Sequence, residues 1–161
     1  KIDFGIVSTP VGEKPYLKIV PVKEIRDVFV AGRKFEYLKG QTLSYRSLME
    51  FPVMCLEGNT STRQYVESFL AEEGVQLRPE FELATSDMLI QFAVRNLGIA
   101  SVVEDFAAEY IKSGELFRLA FERELPKREF CIVSNERIPM SAAASRLLQY
   151  LIEHNEQLYR I

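Results

Sequence analysis

Pro52-Val53-Met54-Cys55-Leu56-Glu57-Gly58-Asn59-Thr60-Ser61-Thr62-Arg63-Gln64 carries the chain from a strand into a helix. The apolar run stops at Gly58, and small polar residues follow. From Thr62 to Glu73 the residues Tyr65, Val66, Phe69 and Leu70 then fall on one helical stripe, which Gly74 ends. The first turn of a helix holds backbone N–H groups without an intrahelical partner, and the macrodipole adds partial positive charge there. Asn59, Thr60, Ser61 and Thr62 place an amide and hydroxyls at that point, a set suited to a small anionic or polar molecule. Plain capping explains the same residues: Ser61 followed three residues later by Gln64 fits a capping box.

Working outward, the unit repeats. Glu80 to Ala84 reads as a strand leading to a cap at Thr85-Ser86-Asp87. A helix follows, with Met88, Leu89, Phe92, Ala93 and Leu97 on one stripe and Gly98 as its end. Ile99 to Val103 is a strand that feeds a helix from Glu104 to about Lys112, closed by Ser113-Gly114. On the amino-terminal side, Ile2 to Val7 is a strand ending at Ser8-Thr9-Pro10, Tyr16 to Val22 is extended, and Asp27 to Ala31 is a short buried strand. Residues 33–43 read as a polar connection, and Ser44 as the cap of a short helix through Glu50 with Leu48 and Met49 inward. Leu116 to Phe121 is extended, Glu122 to Arg128 is a crossing segment, and Phe130 to Val133 is a strand. Ser141 caps a last helix with the stripe Ala144, Leu147, Leu148, Leu151 and Ile152.

Strands alternating with helices imply an α/β fold with mostly parallel sheets, and strands apolar on both faces imply a sheet covered by helices. In such sheets ligands collect beyond the carboxyl ends of the strands. Three polar loops meet that condition: Ser8-Thr9, Asn59 to Thr62, and Thr85 to Asp87.

The 161 residues, 47% hydrophobic and 27% charged, suit a globular fold and exclude a disordered chain. A net charge of −3 makes a poor non-specific nucleic-acid binder. No apolar run approaches the roughly 20 residues that cross a bilayer, so no membrane partner is expected. Cys55 and Cys131 lie in apolar runs and read as buried reduced thiols in a cytoplasmic protein, although a disulfide between them stays open. Ile2 to Val7 opens directly in a strand, which reads as part of a longer chain.

Catalytic equipment is not legible. His154 lies in the polar tail of the last helix, and there is no Ser-His-Asp set, phosphate loop or zinc spacing. Asp87 reads as a structural first-turn carboxylate and Arg63 as a member of a solvated face. No enzyme, metal or cofactor is expected.

Glu82-Leu83-Ala84-Thr85-Ser86-Asp87, followed by Val94-Arg95-Asn96-Leu97-Gly98-Ile99-Ala100-Ser101-Val102-Val103, resembles the effector-binding domain of LysR-type transcriptional regulators. Ile2-Asp3-Phe4-Gly5-Ile6-Val7 resembles another strand of that domain, and the likeness runs in order through nearly all of the chain. Two departures are Arg95-Asn96 before Leu97 and Glu104 where Pro is common. The resemblance implies a two-lobed fold of the type 2 periplasmic-binding-protein kind with two crossing strands and an incomplete first lobe. Lobe I would take residues 1–28 and 129–161, and lobe II residues 33–122. Crossings would fall near Val28 to Gly32 and Leu125 to Phe130. It further implies a small polar or anionic metabolite between the lobes, held by Ser8, Thr9, Asn59, Thr60, Ser61, Thr62, Thr85 and Ser86. Its other implications are a homo-oligomer (dimer or tetramer), and DNA bound only through an absent helix-turn-helix domain. A transporter's solute-binding protein is the alternative on the same plan, and an enzyme grown from the fold a third.

Overall fold

The computed structural model describes residues 2–12 and 14–154. In chain order, β1 (Phe4–Ser8) and β2 (Leu17–Ile25) precede β3 (Asp27–Gly32) and a 3-10 helix, Arg33–Leu38. Then come β4 (Thr42–Leu43), a second 3-10 helix, Tyr45–Glu50, and β5 (Val53–Leu56). Three helices alternate with the next strands: α1 (Ser61–Glu72), β6 (Phe81–Leu83), α2 (Ser86–Val94), β7 (Ile99–Val103), α3 (Glu104–Ser113) and β8 (Leu116–Arg118). The chain closes with β9 (Ala120–Phe121), β10 (Arg128–Asn135) and α4 (Ala142–Glu153). These elements form two compact units, one from residues up to Ile25 and from Arg128 onward, the other from Arg26–Lys127.

In the Arg26–Lys127 unit a five-stranded sheet has the order β6-β5-β7-β3-β8. β5 is parallel to both β6 and β7, whereas β3 is antiparallel to β7 and β8. So β5, β6, β7 and β8 share one direction, each joined to the next by a helix, and β3 runs against them. Both faces of the sheet are covered. Phe29, Ala31, Val53 and Cys55 pack on one side with Val66, Phe69 and Leu70 of α1. Val28, Val30 and Met54 pack on the other with Leu89, Ile90 and Ala93 of α2 and Ala107 of α3. Burial on both faces is why these strands read as unbroken apolar runs.

The other unit holds a three-stranded sheet, β1-β10-β2, with both ladders antiparallel to β10. The expectation of mostly parallel sheets therefore needs correcting for the ladders, although the α/β class stands. Parallel neighbours require a long crossover, normally a helix. β3 and β10 are each the first strand after the chain passes from one unit to the other, with no helix before them to reverse the path. Each is wedged, reversed, between two strands that point the same way. The first passage falls at Ile25–Arg26, and Val28 to Gly32 are instead fully buried in β3.

Local differences from the sequence reading have identifiable causes. Residues 33–38 are not a plain polar connection: the 3-10 helix there buries Phe35 and Leu38, hidden in the sequence among charged neighbours. Met49 is 64% exposed, while Leu48 is fully buried, because the tighter 3-10 turn points only one of them inward. α2 ends at Val94, and Asn96 takes the left-handed conformation expected further on at Gly98. Met88 and Leu97 are left exposed. On α4 only Leu151 of the predicted stripe is buried, and Leu147 and Ile152 are exposed, since the stripe finds little to pack on among the described residues. Ser141 does cap α4, accepting from Ala144 N–H at 3.2 Å and donating to the Asp3 carboxylate at 2.9 Å.

Candidate functional site

Two of the loops singled out in the sequence leave the carboxyl ends of neighbouring parallel strands, β5 and β6, and open α1 and α2. They are bonded to each other, since Glu57 N–H at the start of the first loop donates to the carbonyl of Leu83 at 3.1 Å. The Asn59–Thr62 loop thus starts beside the end of β6, the strand that leads to Thr85 and Ser86. A helix N-terminus carrying partial positive charge follows each loop, α1 on one face of the sheet and α2 on the other.

The cap of α1 is Thr60, one residue before the capping box read from Ser61 and Gln64. The Thr60 hydroxyl accepts from Arg63 N–H at 3.2 Å and donates to the carbonyl of Glu57 at 2.9 Å. It holds the cap where the chain turns back, Thr60 N–H reaching the Glu57 carbonyl as well, at 3.1 Å. Its hydroxyl is thus committed in both directions. Thr85 caps α2, accepting from Met88 N–H at 3.3 Å. Thr85 itself is exposed. Asn59 and Ser61 are exposed, and Thr62 and Ser86 are half-buried at the first helical positions.

Ser8 and Thr9 belong to the three-stranded unit. Ser8 is buried in β1 opposite Phe130. Thr9 is tied on every side: its N–H donates to the Glu129 carbonyl at 2.8 Å and its hydroxyl accepts from Glu129 N–H at 2.9 Å. Its carbonyl accepts from the Arg128 guanidinium at 3.1 Å.

Arg63 corrects the sequence reading most sharply. It is not on a solvated face; it is 6% exposed. Its Nε donates to Glu67 at 2.7 Å, and its terminal nitrogens donate to the Leu56 carbonyl at 2.9 Å and to Glu82 at 3.3 Å. Burial alone opposes its charge. The Glu67 hydrogen bond and the surrounding negative charge outweigh that burial, and its pKa is raised. The i,i+4 spacing of Arg63 and Glu67 was the available signal.

Both cysteines are buried and free, which closes the question of a disulfide. Burial pushes the Cys55 thiol up to about 11 and raises that of Cys131. His154 ends α4, with its ring stacked on Tyr150 at 4.3 Å, away from these loops in the chain. Among the described residues no group of three His, Cys, Asp or Glu is placed to hold a metal. No helix among them is long and apolar enough to cross a membrane. A groove of about 470 Å³ runs along Glu67, Ala71 and Gly74 to Leu77, toward the opposite end of α1 from the capped loop.

Helix-linked parallel strands whose carboxyl-end loops form capped helix N-termini, in a chain that passes twice between two α/β units, define a ligand-binding fold of the type 2 periplasmic-binding-protein kind. The LysR substrate binding domain family matches residues 1–156, and the chain belongs to it. That family is the effector-binding domain of LysR-type transcriptional regulators, not the transporter protein held as the alternative. Among curated relatives, the HTH-type transcriptional activator CmpR of Synechocystis is 27% identical over 130 residues, 80% of this chain. The chain spans 42% of that relative's length. Among solved structures, the Synechocystis PCC6803 CcmR regulatory domain in complex with 2-PG superposes with a TM-score of 0.80 at 22% identity, covering 97% of this chain and 74% of that one. The effector-binding domain of QuiR in complex with shikimate gives 0.78 at 13%, covering 97% and 73%. At these identities the likeness is one of fold.

Proposed function

We propose that the chain is the sensing part of a transcription regulator, in which a small anionic or polar metabolite biases the arrangement of a DNA-bound oligomer. The observation that carries this reading is the pair of capped helix N-termini at the carboxyl ends of hydrogen-bonded β5 and β6. Asn59, Ser61, Thr62, Thr85 and Ser86 would hydrogen-bond the effector directly, with Thr60 shaping the loop. Ser8 and Thr9, at the end of β1, would be further hydrogen-bonding residues for an effector. The complexes of CcmR with 2-PG and of QuiR with shikimate support a small oxygen-rich effector. DNA would be bound by a helix-turn-helix segment beyond these residues, and the working form would be a cytoplasmic homo-oligomer. The role is non-enzymatic, because binding energy that shifts an equilibrium needs no reacting group.

The test is a thermal-shift screen of the full-length protein against small carboxylates, phosphorylated carboxylates and hydroxy acids, with 2-PG and shikimate included. Compounds that raise the melting temperature are then titrated calorimetrically against Thr85→Ala/Ser86→Ala and Asn59→Ala/Thr62→Ala variants. Loss of affinity of about tenfold or more per pair supports the site, each lost hydrogen bond being worth about 1 kcal/mol. Unchanged affinity in both pairs overturns it.

A further inference from the structure

We propose that Arg63 is a positioning residue that ties the two effector-facing loops into one rigid platform, an inference that rests on the site described above. It is bonded on both sides of the Glu57–Thr60 turn. Its guanidinium donates to the carbonyl of Leu56, where β5 ends, at 2.9 Å, and its own N–H donates to the Thr60 hydroxyl at 3.2 Å. The same guanidinium reaches across to Glu82 at 3.3 Å, on the strand that leads into Thr85. Its remaining arm is held by Glu67, one turn along α1, at 2.7 Å. Three segments converge on a single buried cation, the end of β5, α1 and β6, while the main-chain N–H of the same residue caps onto the turn.

The geometry argues against direct contact with an effector. Arg63 is nearly inaccessible, and an incoming anion would have to displace a carboxylate already in place. It argues equally against a simple surface ion pair, because one of the acceptors is a main-chain carbonyl at the point where the loop begins. Only a guanidinium meets this set of acceptors. Its planar fork donates in several fixed directions at once, whereas an ammonium is a single point on a flexible stem. Glu82 lies on an edge strand and is half-exposed, so the tie to the second loop is the weaker arm. The two loops are thus predicted to loosen separately.

Amide hydrogen exchange on the full chain tests this without any ligand. In Arg63→Lys, which keeps the charge, exchange at residues 57–62 and 84–86 is expected to rise about tenfold or more, while β3 and β7 keep wild-type protection. In Glu82→Ala, which opens no buried cavity, only residues 84–86 are expected to speed up. Wild-type exchange at both loops in Arg63→Lys overturns the proposal. So does an increase spread evenly through the Arg26–Lys127 unit in both variants, which is the mark of a merely stabilising ion pair. A failed metabolite screen bears on the effector reading alone and leaves these exchange rates to decide the role of Arg63.

Discussion

Gly98→Ala places one methyl group where the structure has no room for it. A Cβ built on Gly98 lies 2.5 Å from the Pro52 carbonyl oxygen and 3.2 Å from Cγ of Met54. The same carbonyl accepts from Ile99 N–H at 2.8 Å, the bond that starts the pairing of β7 with β5. Neither neighbour yields easily, because one is backbone and Met54 is fully buried between sheet and helices. Forcing a methyl into a packed interior costs about 1–3 kcal/mol, and weakening the adjacent backbone bond adds about 1 kcal/mol. The expected loss is therefore about 2–4 kcal/mol, or on the order of 10 °C in melting temperature for a chain of this size. Gly58→Ala is the matched control, since a Cβ there meets nothing within 4 Å and should change stability by less than about 0.5 kcal/mol. Urea denaturation of both variants reads the difference. If Gly98→Ala unfolds at the same urea concentration as Gly58→Ala, the close approach of β7 to the Pro52 carbonyl is not what fixes glycine at that position.

Thr60→Ala and Thr85→Ala each remove a cap and should each cost about 1 kcal/mol in chemical denaturation; Thr60→Ala should also speed amide exchange at Gln64, beside the lost cap. The Cys55 thiol ionises near 11 in the folded protein against 9.0 as a free side chain, so the unfolded state loses its proton first. Stability from this source is intact below about pH 9 and falls, by about 3 kcal/mol, as pH rises toward 11. Cys55→Ala should flatten that stretch of the curve relative to wild type, and a parallel fall in both would refute the assignment. Both thiols should react slowly with a thiol reagent in native protein and rapidly once unfolded.

The strand–helix alternation was legible because Val53 to Leu56, Phe81 to Leu83 and Ile99 to Val103 end at turn residues and lead into helical stripes or caps. Thr85 and Ser141 were legible as caps for the same reason. What escaped depends on the third dimension. The reversed direction of β3 and β10 is set by where the chain enters each sheet, which no local pattern encodes. Phe35 and Leu38 were masked by the charged residues around them, Arg33, Lys34, Glu36 and Lys39. Arg63 was misread because a lone basic residue on a helix is normally solvated, and its second carboxylate, Glu82, comes from another strand. The shift of the α1 cap to Thr60 arose from the Glu57–Thr60 turn, a backbone matter invisible in the Ser61–Gln64 spacing.

The placement of β10 between β1 and β2 also sets an order of assembly. Among the described residues β1 and β2 are not paired with each other and are joined through residues 128–135, more than a hundred positions further along. The Arg26–Lys127 unit is continuous in sequence and can complete its sheet as soon as β8 has been made. On the ribosome the early strands must therefore wait, without β10, while the later segment folds ahead of them. Such long-range pairing is slow and leaves apolar strand edges open to other chains in the interval. Crowded or rapid synthesis should accordingly cost yield through β1 and β2, and slowing translation near residue 127 would not relieve it, because β10 lies just beyond.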